Sequence, residues 1–184
     1  MKENTETDLV KSIIEGNEFA FYNLTKKYKQ KIYWISRRML GNHLDADELT
    51  QEVLIVIYNK IKFFNFNSSL YTWIYKITTT RCINFLRKKQ LRNFFSIEDV
   101  AEKEFDKNND IIKNIEDKEK IEKVNYVLQK LPLRQREVFI LKSIENLTYE
   151  EISEITGKAI GTLKANYFHA IKKIMGYIKD EEQK

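Results

Sequence analysis

The chain is expected to fold as an all-α protein: two small helical domains joined by a linker, the second of them a helix-turn-helix. Three observations predict this. Proline occurs once and glycine five times in 184 residues, too few for a turn-rich β architecture. Apolar residues recur at helical spacing through most of the chain. Capping residues stand where those periodic runs begin, and glycines where several of them stop.

A short helix near 8–15 comes first. Phe21, Leu24, Tyr28, Ile32 and Ile35 then set a helical period from Glu18 to Leu40, which Gly41-Asn42 stops. Asp45 is placed to cap the next helix, which runs to about Ile61 with Leu49, Val53, Val56 and Ile57 on its inner face. Lys62 to Asn67 reads as a loop. Ser68 or Ser69 caps a helix running through Trp73, Ile77 and Leu86 to about Leu91. Residues 93–117 are polar and acidic, lack a sustained apolar period, and read as linker. The C-terminal block begins near Ile121 with a helix that ends at Leu131. Pro132 suits the first turn of the next helix, where its missing N–H costs nothing, and that helix reaches about Asn146. Thr148 and Glu151 form a capping box for TYEEISEIT. Gly157 makes the turn, and a last helix runs from near Ala159 or Ile160 to about Lys179. The expected domains are 1–92 and 121–184, with a linker over 93–120.

Charge is divided into blocks. The formal charge is +5 and the pI near 9.0, a balance that only weakly favours polyanion partners. The distribution says more. Val53 to Ile97 holds no acid and eight basic residues, whereas Glu98 to Glu122 holds ten acids and five lysines. Glu154 is the last acid before Asp180, with five lysines between them. Two basic regions therefore flank an acidic one.

Several function classes find no support. Cys82 is the single cysteine, so no intrachain disulfide forms and a reducing cytosol fits. The polar N-terminus lacks a signal core, and no apolar run approaches the roughly 20 residues of a membrane span. A soluble, cytoplasmic protein without membrane insertion is expected. His43 and His169 are far apart, no metal-ligand spacing occurs, and no glycine-rich phosphate loop is present. No metal, no cofactor and no catalytic constellation are expected. Cys82 reads as a half-buried core residue, and Tyr33 and Trp34 as core.

The C-terminal unit carries the strongest functional signal. A short helix, a glycine turn and a basic second helix make a helix-turn-helix, held together by Ile152, Ile155, Ile160 and Leu163. The start of the second helix would enter a major groove. Lys158, Thr162, Lys164, Ala165, Asn166 and His169 are the candidates to meet DNA; Asn166 suits an adenine edge, and Lys164 a guanine or a phosphate.

LPLRQREVFILKSIENLTYEEISEITGKAIGTLKANYFHAIKKI resembles the fourth conserved region of extracytoplasmic-function sigma factors. It has the leucine-proline, a run like RQREVF, and a helix-turn-helix with G-T-hydrophobic-K opening its recognition helix. The resemblance implies binding to an upstream promoter element and to the flap of the polymerase β subunit, with Lys164, Ala165, Asn166, Phe168 and His169 facing DNA. Where family members often have serine and arginine, this chain has Ala165 and Asn166.

DADELTQEVLIVIYNKI is similar to the polymerase-binding helix of the same family's second region. Asp47, Glu48, Gln51 and Glu52 share one helix face. The resemblance implies that this strip engages a positively charged coiled coil on the β′ clamp of core RNA polymerase.

FNFNSSLYTWIYKITTTRCINFLRKK resembles the segment that recognises and melts the downstream promoter element. Physics supports this separately. A protein that opens DNA must favour the extruded strand: cations neutralise phosphates, and aromatic or polar pockets hold unstacked bases. Asn65, Phe66, Asn67 and Ser68 are candidates to hold a flipped base. Lys76, Thr79, Thr80, Arg81, Asn84, Arg87 and Lys88 would line the strand path. Most of the aromatic residues here, Trp73 and Phe85 among them, read as core.

The resemblance covers roughly 18–92 and 121–179, and implies an alternative sigma factor that directs core RNA polymerase to promoter DNA and opens it. The group usually has an anti-sigma partner. Elements two helical turns apart lie roughly 70 Å from each other, and about 24 extended linker residues reach roughly 80 Å. The alternative reading is a stand-alone helix-turn-helix regulator, which leaves the acidic strip and the 53–97 segment without a role.

Overall fold

The computed structural model describes residues 6–95 and 115–182, and every regular element among them is helical. Helix α1 (Glu6–Ile14) lies on α2 (Glu18–Leu40). The Glu6 carboxylate fastens it there, accepting from Lys27 Nζ at 2.6 Å and from the buried Tyr28 hydroxyl at 2.7 Å. Asn17 caps α2 by accepting from the Ala20 N–H. Gly41 ends α2 in the left-handed conformation (φ 77°), where glycine carries no Cβ penalty.

Asn42, rather than Asp45, caps α3 (His43–Lys60). Directly after the left-handed Gly41, Asn42 is extended, so its side-chain oxygen reaches the Asp45 N–H at 2.9 Å. Asp45 falls inside the first turn and pairs instead with Lys89 at 2.6 Å. Leu49, Val53 and Ile57 face inward as expected. A 3-10 turn (Ile61–Phe63) opens what read as loop. Ser69 caps α4 (Leu70–Phe95), accepting from the Thr72 N–H at 3.0 Å.

Helix α5 (Ile115–Lys130) starts six residues before Ile121, inside the stretch read as linker; its dense charges hide its apolar period. The rest of the expected linker, 96–114, and the mechanical role read into it lie outside the described residues. Pro132 stands just before α6 (Leu133–Phe139) as its cap residue, not within it. After seven residues α6 widens into a π-helical turn (Ile140–Ile144), in which the Glu145 N–H donates to the Ile140 carbonyl. Asn146 leaves that turn at φ 56°.

The capping box forms on α7 (Tyr149–Thr156): the Glu151 N–H donates to Thr148 Oγ1 at 3.2 Å, and the Thr148 N–H to the Glu151 carboxylate at 2.7 Å. Gly157 (φ 69°) turns the chain into α8 (Ile160–Glu182). Ile152, Ile155, Leu163 and Ala170 are buried where α7 and α8 meet.

The two helical modules touch, and the buried apolar residues of both belong to one cluster. Helix α7 packs along α4, and α5 against α2. The end of α2 is the main anchor. Gln129 Nε2 donates to the Arg38 carbonyl at 2.9 Å, and Arg136 Nη1 to the Met39 carbonyl at 2.5 Å. The Gln129 side chain occupies the space that a Cβ on Gly41 would fill.

Candidate nucleic-acid interface

The exposed side of α4 follows from its period. Leu70, Ile74, Tyr75, Thr78, Cys82 and Ile83 are buried, which leaves Lys76, Thr80, Asn84, Arg87 and Lys88 along one outward strip, with Arg81 beside it. Among the described residues, none of Lys76, Arg81, Arg87 and Lys88 is in an ion pair. Their charge is available to an incoming phosphate backbone. Thr79 does not share this strip. It is buried, and its hydroxyl donates to the Tyr75 carbonyl one turn back. Lining a strand path would require it to be uncovered.

The loop before α4 is shaped by its own side chains. Asn65 Oδ1 accepts from the Asn67 N–H at 3.2 Å, and Phe66 sits at φ 59°, a conformation uncommon for a residue with a side chain. The Phe66 ring lies 4.8 Å from that of buried Phe64, which in turn meets Trp73. Phe66 keeps 44% of its surface exposed, beside exposed Asn65 and Asn67 and half-buried Ser68. A ring anchored on one side and open on the other is suited to stacking on an unpaired base.

In the second module, Thr162, Lys164, Ala165, Phe168 and His169 lie exposed on the first turns of α8, and the Phe168 ring is 65% exposed. Tyr167 faces the other way, with its hydroxyl 2.9 Å from Ser143 Oγ and its ring stacked on Phe139. Asn166 is half-buried and donates to the Thr162 carbonyl at 2.8 Å, so reading a base edge requires it to turn outward. Lys158 precedes α8 and is held by Glu137 at 3.3 Å. It braces the helix-turn-helix rather than reaching out with the α8 residues.

The acidic strip lies on the outer face of α3. Glu48, Gln51 and Glu52 are exposed and Asp47 half-exposed, with Gln51 Nε2 donating to Asp47 at 3.2 Å. Sequence reasoning missed Ile55, which is 61% exposed one turn after Gln51 and Glu52. Helical spacing places it on the strip, but an isoleucine among apolar residues reads as core. It also missed Phe63, 73% exposed at the start of the base-capture loop.

Ionisation at the module boundary follows burial. Glu145 accepts from the Tyr75 hydroxyl at 2.6 Å and from Tyr71 at 3.5 Å, and lies 3.5 Å from Arg38. Burial raises Tyr75 above its ordinary value, and the bond to Glu145 adds to this. Burial pulls Arg136 down to about 10. Cys82 is fully buried, not half-buried, and burial pushes its thiol up to about 12, so it is no nucleophile. Among the described residues there is no cluster of three or more histidine, cysteine or acidic residues placed to hold a metal ion, and no helix is long and apolar enough to cross a membrane.

An acidic helix face and a basic strip with an aromatic loop on one module, and a helix-turn-helix on the next, define a protein of the sigma-70 class. Residues 24–92 match the family Sigma-70 region 2, and residues 121–174 match Sigma-70, region 4. The chain is 29% identical to the ECF RNA polymerase sigma factor SigW of Bacillus subtilis, over 93% of this chain and 95% of that one. It is 28% identical to the RNA polymerase sigma-H factor of Pseudomonas aeruginosa, over 92% of each. The fold is shared with CnrH bound to the cytosolic domain of CnrY (TM-score 0.70, 16% identity, covering 94% of this chain and 96% of that one). It is also shared with RpoE of Bartonella quintana bound to the anti-sigma factor NepR (TM-score 0.69, 23% identity, covering 86% and 96%). The chain belongs to the extracytoplasmic-function sigma factors.

Proposed function

We propose that this sigma factor uses four surfaces in sequence to bring core RNA polymerase to a promoter and open it. The Asp47–Glu52 strip, extended by Ile55, docks the first module on the β′ clamp. The second module engages the β flap. The start of α8, with Thr162, Lys164, Ala165, Asn166, Phe168 and His169, holds the upstream element. The strip Lys76, Thr80, Arg81, Asn84, Arg87 and Lys88, with the loop Asn65–Ser68, then captures the displaced strand and so favours the open state. Capture requires no covalent chemistry by this chain. It shifts an equilibrium by binding one state of DNA better than the other.

The observation that carries this reading is the union in one chain of a region 2 match and a region 4 match, each presenting an exposed basic surface. It supports a working division at 1–92 and 121–184, with the second unit opening on α5, which begins earlier, at Ile115. A cytoplasmic location fits a factor that works on polymerase. The fold neighbour bound to the anti-sigma factor NepR supports the reading that an anti-sigma protein also binds this chain. Run-off transcription with purified core polymerase, followed by sequencing of transcript starts, is the test. We expect defined start sites that depend on the added protein. A chain that never forms a complex with core polymerase would instead be a stand-alone DNA-binding regulator.

A further inference from the structure

The turn that leads into α8 is held by polar contacts rather than by packing. Among the described residues, a Cβ at Gly157 or Gly161 would meet nothing within 4 Å. Ala159 is exposed, and full burial on α8 begins only at Leu163. Lys158, inside this open turn, is fixed at both ends. Its carbonyl accepts from Ser153 Oγ at 2.7 Å, and its ammonium lies 3.3 Å from the Glu137 carboxylate. Glu137 belongs to α6, has 2% of its side chain exposed, and meets Arg134 at 3.4 Å as a second cation.

A carboxylate buried in this way adds little net stability, because desolvation offsets the Coulombic attraction. What a buried ion pair does supply is geometry. Leu163 and Ala170 bury α8 against α6 and α7, but apolar contact has no direction and leaves the angle of the helix loosely set. The Glu137–Lys158 pair ties the start of α8 to one point on α6. Small errors there grow along the helix. His169 lies roughly 16 Å along the axis from Lys158, so a tilt of about 10° at the turn moves it by roughly 3 Å. Hydrogen bonds to base edges tolerate about 0.5 Å.

We propose that Glu137 is a positioning residue for upstream-element recognition: from its buried site, and through Lys158, it sets the pose in which Thr162, Lys164, Asn166 and His169 meet DNA. Neither Glu137 nor Lys158 touches DNA itself. The consequence for DNA rests on the proposed role of α8; the pinning of the turn does not. Loss of the pair therefore lowers sequence discrimination while leaving the general attraction of a basic surface for phosphates unchanged.

Two measurements on the full chain test this. The first, amide hydrogen exchange, needs no DNA. Glu137→Gln and Lys158→Met should each speed exchange about tenfold from Leu163, whose N–H donates to the Ala159 carbonyl at 3.1 Å, to Asn166, and leave amides beyond Ala170 unchanged. Lys158→Met keeps the aliphatic stem of a side chain that is 21% exposed, so it decides the matter even where Glu137→Gln fails to fold. The second measurement selects a preferred duplex from a randomised pool with the wild type, then compares it with a scrambled duplex by fluorescence anisotropy across a salt series. Each variant should lose about tenfold on the preferred duplex, the size of one base contact, and nothing on the scrambled one. The double variant should lose no more than either single, since both break one link. Lys158→Arg, which keeps a cation for Glu137, should retain most of the affinity. The slope of log affinity against log salt should stay as in the wild type, whereas removing a phosphate contact lowers it by about 0.9. Such a lowered slope in Lys158→Met, additive losses in the double variant, or folded single variants with wild-type exchange and base preference would overturn the proposal. A wild type that selects no sequence, with exchange still faster in the variants, would overturn the role of α8 and leave the pinned turn standing.

Discussion

Replacing Arg136 with methionine should destabilise the chain more than any surface change, because this guanidinium closes four acceptors at once. Its Nη1 donates to the Met39 carbonyl and to Gln129 Oε1, and its Nη2 to the Gln129 and Leu131 carbonyls. Methionine fills similar volume but leaves those oxygens without a donor. Hydrogen bonds from a charged donor are worth roughly 1.5–3 kcal/mol each, though not additively. Burial opposes this gain, holding the Arg136 pKa down at about 10, and Nε has no partner among the described residues. The net loss should be about 3–5 kcal/mol, because several carbonyl oxygens are left without a donor at about 1–3 kcal/mol each, and not all of that is additive. With a urea slope of about 2 kcal/mol/M, the midpoint should fall by roughly 1.5–2.5 M. Urea unfolding followed by circular dichroism measures it. Arg136→Lys should recover less than half, because one ammonium cannot span the fork. A midpoint shift below about 0.3 M for Arg136→Met would show that these bonds contribute nothing net, and would refute the reasoning.

Other outcomes follow from single contacts. Tyr75 is raised above its ordinary 10.0, so its contribution to folded stability is complete below pH 10.0 and lost as pH climbs beyond it toward the higher folded value. Urea midpoints recorded against pH should fall there, and Tyr75→Phe should flatten that dependence. Thr148→Ala removes half of the capping box and should cost about 1 kcal/mol in thermal unfolding. Reversing charge at Glu48 and Glu52 should weaken polymerase binding while sparing upstream-element binding, as read by pull-down and by mobility shift. Substituting Lys164 and Asn166 should weaken upstream recognition by about 1–3 kcal/mol per lost base contact, whereas unchanged promoter preference would misplace the recognition helix.

Much of this was legible because it is local. Thr148 and Glu151 are three residues apart, and a capping box depends on nothing further away. The strip on α3 and the outward face of α4 needed only the helical repeat. Local competition defeated the reading at Asn42 and Asp45: both are good caps, and the left-handed Gly41 decided between them by setting the backbone of its neighbour. Long-range pairing was not legible at all. Glu145 and Tyr75 are separated by 70 residues, and nothing in either segment records that they meet. Lys158 looked like one more DNA-facing cation until the structure showed Glu137 beside it. Thr79 looked polar and therefore outward, but a threonine in a helix satisfies its hydroxyl on its own backbone and can be buried cheaply.

The widened turn at Ile140–Ile144 has a consequence for insertions and deletions. It houses one more residue than an ordinary helical turn would, and each residue of helix advances the azimuth by about 100°. Deleting a single codon there would let the segment relax to one ordinary turn and leave the promoter-reading end near its present azimuth, whereas the same deletion in the regular helix before it would swing that end by about 100°. That turn can therefore absorb the loss of one residue where its regular neighbours cannot, provided the buried positions Ile140 and Leu141 stay apolar.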